Sequence, residues 1–158
     1  MKSVKLAVMA ITVLMAVVCA PWRATAADNS AVMAVVNGAV ASFNKGDMKT
    51  WETFCTSPAS IVSNVPPYQY YGSTACADWW TSHAAYDKKN GVSGEVVVLG
   101  PVWHTEVTGN RAYVAFPASY TFKQKGKTVK TSGNALTIAL QKTATGWLMT
   151  GWSWTQHP

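Results

Sequence analysis

The 158-residue chain is 49% hydrophobic and 13% charged, and its formal net charge at pH 7 is +6. Three of the basic residues lie within the first twenty-six residues, and the rest of the chain has ten basic and seven acidic residues, a net charge of +3. Because this excess of positive charge is modest, we expect no nucleic-acid partner.

The N-terminal segment has the pattern of a secretion signal. Lys2 and Lys5 precede an uncharged apolar run, 6–20, and Ala-Thr-Ala at 24–26 is a small-x-small cleavage site. The run is shorter than the roughly twenty residues that a membrane-spanning helix needs. An uncleaved anchor helix and lipid attachment at Cys19 are the alternatives. The pattern therefore predicts an exported protein.

Removal of residues 1–26 would leave a single domain, 27–158, in the periplasm or outside the cell. We expect no membrane association after this removal. Two cysteines remain, Cys55 and Cys76, and an oxidising compartment allows them to form a disulfide. Two buried free thiols are the alternative.

The first half of the domain has helical patterns. A helix is predicted over 30–44, where apolar residues recur at helical spacing. Asp47 is a typical N-cap for a second helix, 48–55. Beyond an extended Pro-Pro turn at 66–67, a third helix is predicted over 73–88. The apolar stripe of the first helix consists of Val32, Val35, Val36, Ala39, Val40 and Phe43.

The second half of the domain has strand patterns, after a short strand at 61–62. Glycine-containing turns separate four longer strands, predicted over 92–107, 111–124, 127–142 and 146–156. Pro101 cannot donate to a sheet ladder, so we expect a bend in the first of them. The segregation of helices and strands predicts an α+β fold, with three N-terminal helices packed on a strongly curved antiparallel sheet.

Alternation along the last three strands predicts which side chains face the helices. The sets taken as inward are mostly apolar. They are Ala112, Val114, Phe116, Ala118, Tyr120 and Phe122, then Asn134, Leu136, Ile138 and Leu140, and finally Leu148, Thr150, Trp152 and Trp154.

The order of these parts is similar to that of a known family. Three helices followed by a long, curled sheet resemble the nuclear transport factor 2-like fold, in particular its SnoaL-like, ketosteroid-isomerase-like branch. The resemblance covers nearly all of the domain. It depends on the order of short motifs, namely Phe-Asn-Lys-Gly-Asp at 43–47, Pro-Pro-Tyr at 66–68 with Gly72, Trp79, Gly-Asn-Arg-Ala-Tyr-Val at 109–114, Tyr-Thr-Phe-Lys at 120–123, Gly-Trp at 146–147 and Trp-Ser-Trp at 152–154.

The resemblance implies a deep conical pocket between the helices and the sheet. In enzymes of this family the pocket holds an Asp or Glu that acts as a base. Relatives have an Asp-Glu pair before the Pro-Pro turn and a His after it, whereas this chain has Ser63, Asn64 and Tyr68. The resemblance therefore implies a pocket without the usual catalytic carboxylate. It also favours a disulfide between Cys55 and Cys76.

Three side chains are candidates for catalysis. His104 shares a strand face with Glu106, which can orient its imidazole. His83 lies one helical turn after Trp79, so both are expected to face the cavity. Tyr68 can donate a hydrogen bond to a developing oxyanion. The alternative is that both histidines lie at exposed positions; their spacing does not suit a metal site, and we expect no metal or other cofactor.

The predicted pocket is lined mainly by aromatic residues. These suit a flat apolar ligand, although they also build the cores of small domains. Asn134 lies in an inward-facing apolar set, so it needs hydrogen-bond partners from a ligand or from the backbone. The predicted ligand-contacting residues are Tyr68, Tyr70, Trp79, Tyr120, Asn134, Trp152 and Trp154.

Three functions are consistent with these patterns. The first hypothesis is an exported protein that binds a small apolar ligand. The second is an isomerase, cyclase or dehydratase for an apolar carbonyl compound, with a histidine base and Tyr68 or Tyr120 as donor. The third is a scaffold that forms a homodimer. A histidine within hydrogen-bond reach of an enclosed cavity would favour the second hypothesis over the first.

Overall fold

The computed structural model describes residues 26–156. Residues 1–25, which contain nearly all of the predicted secretion signal, and His157 lie outside the described residues, so export stays a prediction. Within the described part, the chain forms three helices, α1 (Ala26–Lys45), α2 (Met48–Glu52) and α3 (Ala75–Asn90).

The helices of the structure differ from their predicted ranges mainly at the ends. α1 begins four residues earlier than predicted, and Asp28 in its first turn interacts favourably with the positive end of the helix dipole. α3 begins and ends two residues later than predicted. Its C-cap is Gly91, whose φ of 65° is the left-handed conformation that glycine adopts readily.

Seven strands form one curled sheet in the described residues. The predicted strand 92–107 is broken at Gly100 and Pro101 into two strands that both pair with the same neighbour. The sheet order is β2-β1-β7-β6-β5-β3, with β4 also paired to β5. The strands are β1 (Cys55–Val62), β2 (Gln69–Gly72), β3 (Val92–Leu99), β4 (His104–Thr108), β5 (Arg111–Gln124), β6 (Lys127–Thr143) and β7 (Gly146–Thr155).

β1 is longer than the predicted strand 61–62. Because it begins at Cys55, the preceding helix, α2, is shorter than predicted. Asp47 caps α2 as predicted, accepting a hydrogen bond from the Thr50 amide at 3.0 Å. The helix ends at Glu52 instead of residue 55, because Cys55 already pairs with Met149 of β7. This pairing is parallel, whereas the other strand pairs of the described sheet are antiparallel. The sheet is therefore mixed.

The predicted inward faces of β5 and β6 are confirmed, but half of the β7 prediction is wrong. The pairing of β6 with β7 shifts between Met149 and Gly151, which leaves Thr150 as an extra residue. An extra residue reverses which face the following side chains occupy. Trp147 and Met149 are therefore buried before the bulge, in place of Leu148 and Thr150. Beyond it Trp152 and Trp154 face inward as predicted.

The core lies between the helices and the inner face of the sheet. It combines aliphatic residues of α1 with inward residues of β1, β5, β6 and β7. A disulfide between Cys55 and Cys76, with Cα atoms 6.7 Å apart, joins the start of β1 to the first turn of α3. The predicted pairing is therefore confirmed. Among residues 26–156, no helix combines the length and apolar character needed to cross a membrane.

Candidate functional site

A cavity of about 420 Å³ lies between the helices and the inner face of the sheet. The helices contribute Phe43, Trp51 and Trp79, and the sheet contributes large residues that include Tyr120 and Trp152. A concave site with a mostly apolar lining and few polar groups is typical of small-molecule binding sites. This cavity is the candidate functional site.

The aromatic rings of the wall pack against one another. The Trp79 ring lies 4.7 Å from that of Trp152 and nearly perpendicular to it, and 5.0 Å from that of Trp51. On the sheet, the Tyr120 and Trp154 rings are 5.9 Å apart. Because edge-to-face pairs are favourable, these contacts hold the wall in a defined shape.

Two polar residues at the end of β1, shortly before the Pro-Pro turn, also line the cavity. Ser63 Oγ accepts a hydrogen bond from Trp79 Nε1 at 3.1 Å, and Asn64 Nδ2 donates to Gln156 Oε1 at 2.8 Å. Neither side chain is ionisable near neutral pH. Their hydrogen bonds orient Trp79 and connect the end of β1 to the residue after β7.

A hydrogen-bonded cluster of four polar side chains lies at one wall of the cavity. His83 and Asp87, one turn apart on α3, are in contact through Nδ1 and Oδ2 at 3.1 Å. The other imidazole nitrogen, Nε2, lies 3.4 Å from Oε1 of Glu95 on β3. The Tyr120 hydroxyl donates a hydrogen bond to the same Glu95 oxygen. His83, Asp87 and Tyr120 line the cavity directly, and Glu95 lies behind them.

The pKa values of the two carboxyl groups of this cluster are shifted in opposite directions. Burial raises the pKa of Glu95 to about 9, with further contributions from a hydrogen bond to Asp87 and from its negative charge. Burial also acts to raise the pKa of Asp87, but hydrogen bonds from His83 and Glu95 outweigh it, so this pKa is lowered. Near neutral pH Asp87 is therefore ionised, while Glu95 holds a proton and donates it to Asp87.

Comparison with known proteins identifies the fold. The chain matches no protein-family model and no curated protein sequence. A ketosteroid isomerase-like protein from Erwinia carotovora atroseptica is 16% identical with a TM-score of 0.68, over 85% of this chain and 99% of that one. A nuclear transport factor 2-like superfamily protein from Salmonella enterica is 20% identical with a TM-score of 0.67, over 85% and 94%.

A third similar structure is from Streptomyces avermitilis and is provisionally named a dehydratase of the nuclear transport factor 2-like family. It is 16% identical with a TM-score of 0.69, over 83% of this chain and 97% of that one. The described chain has the nuclear transport factor 2-like fold. At this level of identity the similarity extends to the fold, and the site must be argued from this chain's own residues.

Two of the predicted catalytic residues lie outside the cavity of this nuclear transport factor 2-like domain. The Tyr68 side chain is 60% exposed, because its backbone, with φ of 75°, closes the turn after Pro67 and directs the ring outward. His104 lies on the outer face of β4, 3.5 Å from Glu106, and the two side chains are 55% and 67% exposed. The buried side chain of β4 is that of Val107.

Two of the predicted ligand contacts are buried but do not line the cavity. The Tyr70 hydroxyl donates to the Pro66 carbonyl at 2.7 Å, within the same turn. Asn134 is fully buried and its Nδ2 donates to Thr131 Oγ1 at 2.9 Å. The remaining predicted site residues line the nuclear transport factor 2-like cavity: His83, Trp79, Tyr120, Trp152 and Trp154.

Sequence reasoning singled out neither carboxyl group of the cluster. The spacing of four residues between His83 and Asp87 on one helix could have indicated that they are neighbours. No comparable signal exists for Glu95. It follows Gly94 in a bulge, where two residues of β3 oppose one residue of β5, and the bulge brings Glu95 to the same face as Val97 of the cavity wall.

The same cluster contains the residues that could ligate a metal ion. One ligand atom from each of His83, Asp87 and Glu95 lies within 4.8 Å of the others. Imidazole and carboxylate groups are suitable ligands for zinc or manganese. The histidine spacing gave no indication of such a group, because two of its three members are carboxyl groups from different elements.

Proposed function

We propose that this protein binds a small, largely apolar ligand in the cavity between its helices and its sheet. The observation that carries the proposal is the wall of packed aromatic rings around one polar cluster, with Trp79 and Trp152 at its centre. Such a lining buries a flat molecule and leaves one polar wall to orient it. The fold, the disulfide and the predicted signal support a protein of the SnoaL-like group that acts in an exported, oxidising setting.

Native mass spectrometry of protein purified from its own source tests this proposal. We expect a retained small molecule that is lost on denaturation. Trp152→Ala opens the aromatic wall and should greatly reduce retention. Trp103→Ala, at a tryptophan that is 61% exposed, is the matched control and should leave it unchanged. Equal retention by both variants would place the ligand elsewhere and contradict the proposal.

A second candidate function is acid–base catalysis in the same cavity. It is favoured by His83, which lines the cavity and contacts one carboxyl group through each imidazole nitrogen. Asp87 holds Nδ1 of the imidazole, so Nε2 would abstract a proton next to a carbonyl group once the substrate displaces its contact with Glu95. Tyr120 lines the cavity and would donate to the oxygen on which charge develops, in exchange for its hydrogen bond to Glu95.

Hydrogen exchange of the extracted ligand separates catalysis from binding. If the candidate is right, apo-protein in D2O should catalyse deuterium incorporation next to the ligand's carbonyl group. His83→Asn should abolish the exchange, and His104→Asn, on the exposed outer face, should not. A ligand that binds without any exchange above the uncatalysed rate would leave only the binding function.

The third hypothesis, a homodimer, gains support from apolar side chains on the surface. Val98, Trp103 and Tyr113 are 57%, 61% and 46% exposed. We propose that this surface pairs two copies of the chain. Light scattering should then give twice the monomer mass, and Trp103→Gln should shift the mass towards the monomer. A monomeric wild-type protein at high concentration would contradict the proposal.

A further inference from the structure

Asp87 is the carboxyl group that lines the cavity wall, next to the His83 imidazole. Asp87 lies at the wall itself, and Glu95 lies behind it in contact with His83 and Tyr120. Among the described residues that line the cavity there is no lysine or arginine. A molecule that enters the cavity therefore meets the carboxylate of Asp87, which attracts the positive end of that molecule.

Aromatic rings flank the acidic cluster on both sides. On the helical side, the Phe43 and Trp79 rings lie 5.5 Å and 5.0 Å from the His83 imidazole. On the sheet side, Tyr120 contacts Glu95 through its hydroxyl, and its ring lies 5.9 Å from that of Trp154. The faces of tryptophan and tyrosine attract cations, because their π systems are electron-rich.

We propose that the ligand of this cavity is an organic cation, an amine or a quaternary ammonium compound, whose charged end lies against Asp87. Its apolar body would fill the part of the cavity that Trp79, Trp152 and Trp154 line. This inference rests on the proposed binding function and specifies the class of ligand. A neutral apolar compound and a bare metal ion are the competing occupants, and the experiment below distinguishes all three.

Two probes of the same shape test the proposal on the purified exported protein. Phenyltrimethylammonium and tert-butylbenzene differ in charge but not in size, and calorimetry gives the affinity of each. Apolar burial alone would favour the neutral probe. We expect the Kd of the cation to be lower than that of the neutral probe by a factor of at least about ten.

Variants of the cluster locate the effect. Asp87→Asn should weaken cation binding about tenfold and leave tert-butylbenzene within twofold. Asp78→Asn is the matched control, because Asp78 lies in the first turn of the same helix, does not line the cavity and accepts a hydrogen bond from the Thr74 hydroxyl. The probe pair on the wild-type protein decides the question even if a cluster variant fails to fold.

Each outcome separates this inference from the function on which it rests. If tert-butylbenzene binds as tightly as the cation or more tightly, the cavity binds apolar ligands and the inference is overturned. If neither probe binds, the binding function fails as well. If zinc alone binds at the cluster and neither probe displaces it, the acidic groups serve a metal ion and the inference is again overturned.

Discussion

Glu95 illustrates how a single side chain can acquire a property that its sequence context does not show. Its carboxyl group lies against the His83 imidazole and the Tyr120 hydroxyl in a partly buried position. Burial first, and then Asp87, raise its pKa from an ordinary value of 4.5 to about 9. The group is therefore neutral in the folded protein and ionised in the unfolded chain over this pH range.

Replacing Glu95 with glutamine should change how stability depends on pH. Between about pH 4.5 and pH 9, the folded protein holds a proton on Glu95 that the unfolded chain releases. The contribution of Glu95 is thus fully present below pH 4.5 and is lost as the pH rises towards 9. We expect the free energy of unfolding of the wild type to fall by up to about 1.4 kcal/mol per pH unit from this group.

Urea unfolding at several pH values, followed by tryptophan fluorescence, measures this effect. The free energy of unfolding of Glu95→Gln should depend less on pH than that of the wild type. At pH 8 the variant should be more stable than the wild type. Glu106→Gln, at a side chain that is 67% exposed, should follow the wild-type curve. Parallel curves for wild type and Glu95→Gln would show that the Glu95 carboxyl group is not held neutral.

Among the structural elements, the parallel pairing of β1 with β7 depends on one glycine. A Cβ atom on Gly151 would contact the Ser60 carbonyl oxygen of β1 closely enough to force the backbone to move. Gly151→Ala should therefore lower the free energy of unfolding by about 2 kcal/mol, the usual cost of overpacking. Chemical denaturation measures it, and Thr155→Ala at the exposed end of β7 is the control. An unchanged denaturation midpoint for Gly151→Ala would contradict this prediction, because it would mean that β1 and β7 move apart at little cost.

The disulfide joins two elements that the sheet does not connect directly. Cys55 begins β1 and Cys76 lies in α3, with 21 residues of sequence separation. Loss of the bond in Cys55→Ser should cost about 3 kcal/mol, since it frees a loop of this length in the unfolded chain. Thermal unfolding measures the loss, and reduction of the wild type should reproduce it. A variant as stable as the oxidised wild type would contradict the predicted contribution.

At the scale of the whole molecule, the prediction is that the domain reaches an oxidising compartment. The full chain expressed in a bacterium should give a mature protein outside the cytoplasm that begins near residue 27. Replacing Ala24 and Ala26 with aspartate should block cleavage, because a signal peptidase site requires small residues there. Thr25→Ser is the control. N-terminal sequencing and cell fractionation measure the result, and an intact N-terminus on the wild-type product would contradict it.

The sequence by itself determined the order of the helices and of most strands, although it showed neither β2 nor the division of 92–107 into β3 and β4. Periodicity and turn residues are local properties, so they predicted α2 to begin after Asp47 and located β5 at its observed bounds. The same alternation gave the inward faces of β5 and β6. It failed in the first half of β7, because the extra residue at Thr150 is visible only in the pairing with β6.

Only the tertiary structure decided which polar residues meet at the cavity. Asp87 and Glu95, neither of which sequence reasoning singled out, are brought to His83 by the packing of α3 against β3 and by the bulge at Gly94. Their opposite pKa shifts follow from that proximity and from burial, and neither can be read from a linear pattern. Aromatic residues predicted the character of the cavity because apolar size is a property of each residue, whereas its polar cluster depends on which distant residues fold together.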